Sequence, residues 1–125
     1  MLSVAKIDHV AIAVKDIKRS TKWYMETLGL EELPNPGWGP QPIFLLAENT
    51  SGMALFETNN GNPLPVDSRL PHFAFEVDAE RFEAFQEHLT TLSIDWNIQN
   101  HIIAHSIYFR DPDHYLIEIT TYDLS

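Results

Sequence analysis

The chain has 125 residues, 44% of them hydrophobic, and a formal net charge of −10 from 18 acidic and 8 basic residues. That length favours one globular domain with a buried core. The acidic balance argues against a nucleic-acid partner, because such binding needs clustered Lys and Arg at the phosphates. With no cysteine, disulfides, zinc–thiolate sites and thiol nucleophiles are excluded. The sequence shows no membrane-spanning apolar run and no signal-peptide pattern, so a cytoplasmic protein without a membrane partner is expected.

The first half of the chain predicts a strand, a helix and three further strands. Residues 6–14, KIDHVAIAV, alternate in hydrophobicity as a strand does. Asp16 is placed to cap the N-terminus of a helix and Gly29 to end it, with apolar residues at helical spacing between them. Short strands are expected at residues 31–33, 43–47 and 53–57, separated by loops rich in Pro, Gly and Asn.

The same pattern begins again after a linker rich in Asn, Pro and Gly. Residues 72–77 read as a strand, and Asp78 as the cap of a second helix. The apolar stripe of that helix is predicted to be Phe82, Phe85, Leu89 and Leu92. Further strands are expected near residues 94–98, 106–109 and 115–121.

The two halves form an internal repeat. IDHVAIAVKD, residues 7–16, aligns without a gap with LPHFAFEVDA, residues 70–79, and the two histidines coincide (72 − 9 = 63). Neither half could bury its helix and sheet alone. The sequence therefore predicts a single α+β domain of two βαβββ modules, about 6–57 and 71–121 with a linker at 58–70, forming a half-barrel-like curved mixed sheet.

Glu118 is the most unusual placement in the chain, because it lies in mid-strand between Ile117 and Ile119. A buried carboxylate needs a hydrogen-bonded cation or a metal ion as its partner. His9 and His72 occupy equivalent positions on the first strand of each half, where a pseudo-twofold can direct both to one concave surface. Two imidazoles and a carboxylate are a common ligand set for Fe²⁺, Mn²⁺ or Zn²⁺.

Each of these residues also has an ordinary explanation. A histidine on a strand is often a hydrogen-bonded core residue, and a mid-strand glutamate is often an edge residue that faces water. The metal hypothesis depends on all three placements meeting in one repeat geometry. For proton chemistry a base is also needed, and His105, His101 and Tyr108 are the candidates.

The repeat, with IDHVAIAVKDIKRSTKWYMETLGLEEL at the front and YFRDPDHYLIEI at the back, resembles the vicinal oxygen chelate superfamily. That superfamily includes glyoxalase I, bleomycin resistance proteins, extradiol dioxygenases and fosfomycin resistance transferases. The resemblance runs from Lys6 to Thr121. It implies metal ligands on the first and last strands of each module, which His9, His72 and Glu118 match at three positions. It also implies a homodimer, often with one site built from two chains.

The sequence departs from the family pattern in two places. At the fourth ligand position it has Ala54 or Phe56, and Glu57 has the opposite strand parity. Because glyoxalase I-like enzymes use four protein ligands, the vacancy counts against that activity and favours a dioxygenase-like or transferase-like enzyme. His114 replaces the usual glycine of a DPDG turn, so it must adopt a positive φ or reshape the turn.

Two functions follow from this resemblance. The first is an enzyme that uses a divalent ion (Fe²⁺, Mn²⁺, Zn²⁺ or Ni²⁺) held by His9, His72 and Glu118 to act on a small molecule with two adjacent oxygens. The catalytic candidates are then His105 and Tyr108. The alternative is a metal-free protein of the bleomycin resistance type that binds or sequesters a small molecule in an aromatic cleft.

Overall fold

The computed structural model describes residues 2–124 as an α+β fold with two α-helices and eight strands. The chain divides into two compact units between Arg69 and Leu70, called unit 1 and unit 2 below. Each unit has the order strand, helix, three strands, so the predicted α+β class and the βαβββ repeat are confirmed.

Unit 1 contains one four-stranded mixed sheet and one α-helix within the described residues. Its elements are β1 (His9–Val14), α1 (Ile17–Leu28), β2 (Glu31–Glu32), β3 (Ile43–Ala47) and β4 (Ser51–Glu57). The strand order is β1-β4-β3-β2, with β1 and β4 parallel and the other neighbours antiparallel. A short 3-10 helix, Val66–Ser68, lies in the linker.

Unit 2 repeats this arrangement within its described residues. Its elements are β5 (Phe73–Glu76), α2 (Ala79–Thr91), β6 (Asn97–Asn100), β7 (His105–Arg110) and β8 (Leu116–Thr121). The order β5-β8-β7-β6 again has one parallel pair, β5 with β8.

The helices begin where the acidic caps predict. The Asp16 carboxylate accepts a hydrogen bond from the Arg19 backbone N–H at 3.1 Å, and Asp78 accepts one from Arg81 at 2.9 Å. α1 ends at Gly29, whose φ of 69° is the left-handed conformation that glycine adopts without strain. Each cap satisfies a backbone donor that the first helical turn leaves unpaired.

Several predicted strand bounds shift in the structure. β1 begins at His9 rather than residue 6, and β5 begins at Phe73, so that His72 immediately precedes its strand. β6 begins at Asn97, three residues later than predicted. His114 does take a positive φ, 67°, in the turn before β8, where its carbonyl oxygen accepts a hydrogen bond from Arg110.

One face of each sheet carries the core. In unit 1 the fully buried side chains include Val14, Tyr24, Leu45, Met53 and Leu55; in unit 2 they include Leu89, Ile107, Ile117 and Ile119. Because side chains alternate along a strand, the opposite faces carry His9 in unit 1 and Glu118 in unit 2. No helix among residues 2–124 is long and apolar enough to cross a membrane.

Gly52 is required where β4 passes beside His9 and β3. Its backbone N–H donates to the carbonyl oxygen of Asp8 at 3.1 Å. A Cβ atom at this position would lie 1.9 Å from the carbonyl oxygen of Leu45, which is backbone and cannot rotate away. We expect Gly52→Ala to lower the free energy of unfolding by about 2 kcal/mol or more, as overpacked substitutions do.

Urea unfolding followed by circular dichroism measures this change. Ser51→Ala, at the neighbouring position of β4, is the control and should differ from the parent by less than about 1 kcal/mol. Equal stability of Gly52→Ala and the parent would show that the two strands can separate at this point without cost.

Candidate metal and substrate site

His72 and Glu118 are brought together in unit 2. The Nε2 atom of His72 lies 3.1 Å from Oε1 of Glu118. The parallel pairing of β5 and β8 causes this approach, because Ala74 lies opposite Glu118 and His72 is two residues earlier on the same face. Glu118 is only 9% exposed. Two of the three predicted ligands therefore form a contact, and the carboxylate is buried as expected.

Ser106, which is not among the site residues that the sequence predicts, is a second partner of the Glu118 carboxylate. Its hydroxyl donates to Oε2 of Glu118 at 2.6 Å and lies 2.9 Å from Oγ1 of Thr120. Both carboxylate oxygens thus have a partner, one an imidazole and one a hydroxyl. Strand alternation places Ser106 on the same face as Tyr108, but only the register of β7 against β8 shows that it reaches Glu118.

Tyr108 lies directly opposite Glu118 in the antiparallel pair of β7 and β8. Its hydroxyl oxygen is 2.9 Å from Nε2 of His101, and its ring meets the ring of His72 edge-on at 6.2 Å between centroids. Burial raises the pKa of the Tyr108 phenol above its ordinary value, and the negative charge of Glu118 and a hydrogen bond to it raise it further. Tyr108 is therefore a neutral hydroxyl at physiological pH rather than a phenolate base.

His105 is placed elsewhere. In β7 it shares parity with Ile107 and Phe109, so it lies on the sheet face opposite to Tyr108 and Glu118. It lines a groove of about 520 Å³ together with residues of α2, among them Ala79 and Phe82. The structure of unit 2 does not bring His105 to Glu118, and the prediction that it acts there as a base does not fit this placement.

His9 lies at the start of β1 in unit 1. Its Nδ1 atom is 2.9 Å from Oδ2 of Asp8, and its ring meets the ring of Phe44 edge-on at 4.7 Å. A carboxylate at Nδ1 holds the proton there and leaves the Nε2 lone pair for a ligand, an arrangement that metal-binding histidines use. Asp8 is not among the site residues that the sequence predicts.

Ala54 corresponds to the fourth ligand position that the family pattern implies. The repeat offset of 63 relates Ala74, which lies opposite Glu118, to Ala11 (74 − 63 = 11). Ala11 in turn lies opposite Ala54. The register therefore selects Ala54 over Phe56, so a methyl group stands where the repeat has a carboxylate in unit 2.

Glu57 lies on the opposite face of β4 from Ala54, as its strand parity predicts, and contacts helix α1. Its carboxylate accepts a hydrogen bond from the backbone N–H of Ile17 at 3.0 Å, at the N-terminus of α1. Negative charge is stabilising at that end of a helix. Within residues 2–124 the structure gathers no group of three His, Asp or Glu side chains that could hold a metal ion.

The chain belongs to the Glyoxalase/Bleomycin resistance protein/Dioxygenase superfamily, whose family model matches residues 6–119. This confirms the resemblance drawn from the sequence motifs. The fold is also that of solved members. A putative glyoxalase family protein from Bacillus anthracis superposes with a TM-score of 0.78 at 24% identity, covering 97% of this chain and 98% of that chain.

Two further proteins are also similar to this chain. Over 113 residues, the chain is 27% identical to glutathione transferase FosA of Serratia marcescens, covering 90% of this chain and 78% of that protein. The fosfomycin resistance protein FosX from Mesorhizobium loti has the same fold, with a TM-score of 0.72 at 22% identity and coverage of 98% and 96% of the two chains.

The titration of Tyr108 tests the geometry around Glu118. Removing the negative charge with Glu118→Gln should lower the pKa of Tyr108 towards its ordinary value of 10.0, without reaching it, because burial is the largest cause of the rise. The measurement is phenolate absorbance against pH in chelator-treated protein, taken as the difference between each protein and its Tyr108→Phe version.

Glu76→Gln, on the same face but exposed, is the matched control and should leave the midpoint unchanged. Circular dichroism across the titration confirms that the protein stays folded. An unchanged or higher midpoint in Glu118→Gln would mean that the carboxylate does not act on the phenol.

Proposed function

We propose that the protein is a divalent-metal-dependent enzyme of the transferase-like kind, acting on a small molecule that offers two adjacent oxygens to the ion. The observation that carries the proposal is the contact between His72 Nε2 and the buried carboxylate of Glu118. His9 is the third ligand, supplied by unit 1 of the same chain or of a second copy.

The donor chemistry fits such an ion. An imidazole nitrogen and a carboxylate oxygen that are each about 2.0–2.2 Å from an ion can lie 3.1 Å apart as neighbouring ligands. Ser106 holds the other carboxylate oxygen, and Asp8 holds the far nitrogen of His9. Partners of this kind orient metal ligands and raise their basicity. The mixed nitrogen and oxygen set suits Fe²⁺, Mn²⁺, Zn²⁺ or Ni²⁺.

The methyl group of Ala54 supports a three-ligand site. With one protein ligand fewer than glyoxalase I-like enzymes use, more coordination positions remain for two substrate oxygens. Lactoylglutathione lyase activity is therefore not expected. Similarity to glutathione transferase FosA over 90% of the chain favours transfer of a nucleophile to the substrate.

The ion would supply Lewis acidity towards a substrate oxygen. The chain itself supplies the hydrogen-bonding groups on the Glu118 face of unit 2. The Tyr108 hydroxyl lies 2.9 Å from Nε2 of His101 and can turn its proton from Glu118 towards a substrate oxygen on which negative charge develops. His101 can then exchange a proton with Tyr108. His105 has no part in this proposal, because it lies on the opposite face.

We also propose that two copies associate. Large apolar side chains are strongly exposed in both units: Leu2, Val4, Ile7, Ile102 and Ile103, each at 71% or more. Exposed apolar residues that are near neighbours in the chain, such as Ile102 and Ile103, favour a protein partner, and a homodimer matches the expectation from the family resemblance.

Metal content tests the proposed site directly. Protein purified without an affinity tag or chelator should contain close to one divalent ion per chain by elemental analysis. His72→Ala and Glu118→Gln should each lower metal affinity by about tenfold or more, because loss of one ligand removes at least 1.4 kcal/mol. His88→Ala, which removes an imidazole on α2, is the control and should keep the ion.

If the protein contains no ion and its variants bind a small molecule as tightly as the parent does, the enzyme proposal is wrong and the protein sequesters a small molecule.

Enzyme activity is measured separately. Metal-loaded protein is incubated with glutathione and fosfomycin, and the adduct is sought by mass spectrometry. Other chelating acceptors follow if no adduct forms.

Complementation tests how His9 reaches the other two ligands. His9→Ala and His72→Ala chains, each weak in metal binding, are co-expressed with different tags and isolated as a mixed dimer. A site built from two chains predicts that half of the sites regain tight binding, because one site then has both histidines. A site within one chain predicts no recovery, and a lack of mixed dimers contradicts the association itself.

A further inference from the structure

A pair of aromatic side chains lies beside His9, on the face of the unit 1 sheet that is opposite to the core. The Phe44 ring meets His9 edge-on at 4.7 Å, and the Trp38 ring lies 6.5 Å from Phe44 at an interplanar angle of 59°. Phe44 is on β3 and Trp38 is in the loop between β2 and β3. The rings therefore continue the surface that begins at the candidate ligand.

The loop holds Trp38 in place through its own hydrogen bonds. The indole N–H donates to the carbonyl oxygen of Pro42 at 2.9 Å, and the Trp38 backbone N–H donates to the Asn35 side chain at 3.1 Å. The side-chain oxygen of Gln41 accepts from the backbone N–H of Glu57 at 3.1 Å, which ties the loop to the end of β4. The ring position is thus defined by the fold, before any ligand binds.

The surface that these residues present is apolar and consists largely of aromatic rings. Trp38 is 41% exposed, and because its N–H is already bonded inside the loop, it offers a ligand mainly ring carbon. Phe56, which shares parity with Ala54 on β4, is 37% exposed on the same face. Ala11, small and exposed on β1, leaves space beside these rings. Planar apolar groups pack well against such surfaces.

We infer that Trp38 and Phe44 select a substrate that carries a planar hydrophobic group next to its chelating oxygens. This inference rests on the proposed function, since it takes His9 as a ligand of the ion. It goes further by assigning the Trp38 and Phe44 rings of unit 1, which lie beside His9, to the part of the substrate next to the chelating oxygens.

Two hydroxamates form a matched pair of probes, because acetohydroxamate and benzohydroxamate chelate through the same two oxygens and differ by a methyl against a phenyl group. Binding of each to Zn²⁺-loaded full-length protein is measured by calorimetry. The indole N–H signals of the three tryptophans are followed by NMR, with Trp38 identified from the signal missing in Trp38→Phe.

Benzohydroxamate should bind about tenfold or more tightly than acetohydroxamate, as burial of a phenyl ring predicts. Trp38→Ala should reduce this ratio to about twofold or less without changing the affinity for acetohydroxamate, since only the ring contact is lost. Trp38→Phe should keep most of the preference, and Trp96→Ala, in unit 2, should keep all of it. The Trp38 signal should shift with benzohydroxamate and not with acetohydroxamate.

A phenyl preference that survives Trp38→Ala, or a shift confined to Trp23 or Trp96, would overturn the inference while leaving the metal site intact. Failure of the proposed function looks different, because Zn²⁺ would then not bind at the candidate ligands. In that case, binding of the phenyl ring at Trp38 is still measured, from the NMR shift of the Trp38 indole N–H signal when ion-free protein is titrated with millimolar benzohydroxamate. An unmoved signal there overturns the inference as well.

Discussion

The buried carboxylate of Glu118 is the constraint on which the rest of unit 2 depends. A charged group that is 9% exposed must be compensated by charge or by hydrogen bonds, or the fold bears its desolvation cost. The sheet provides a partner for each carboxylate oxygen, the His72 imidazole for one and the Ser106 hydroxyl for the other. Ala74, which lies opposite Glu118 on β5, adds only a methyl group to this face.

The repeat is symmetric in backbone and asymmetric in chemistry. Both units pair their first and last strands in parallel, and both helices start from an aspartate cap. Yet Ala54 occupies in unit 1 the register position that Glu118 occupies in unit 2. Rings of Phe44 and Trp38 adjoin His9, whereas hydroxyl and imidazole groups adjoin His72. A duplicated scaffold thus allows one half to specialise in polar contacts and the other in apolar ones.

The sequence predicted the fold better than the site, and particular residues show why. Helix starts follow from local chemistry, so Asp16 and Asp78 located them correctly. The partners of Glu118 depend on which residue of β7 lies opposite which residue of β8. A shift of one residue exchanges the two faces of a strand. The sequence therefore predicted both His105 and Tyr108, although only Tyr108 lies with Ser106 on the face of the carboxylate. His101 precedes β7 in an irregular stretch, where no periodicity indicates direction.

By itself, the sequence determined the repeat, the class of fold, the superfamily and the helix caps, because each depends on residues close together in the chain or on a pattern repeated along it. Only the tertiary structure decided that Glu118 contacts His72 and Ser106, that Ala54 lies at the strand position equivalent to Glu118, and that the Trp38 ring lies near Phe44 beside His9. These are contacts between strands and loops distant in sequence. They follow from the hydrogen-bond register between paired strands. No single stretch of residues encodes that register, because it depends on both strands of each pair.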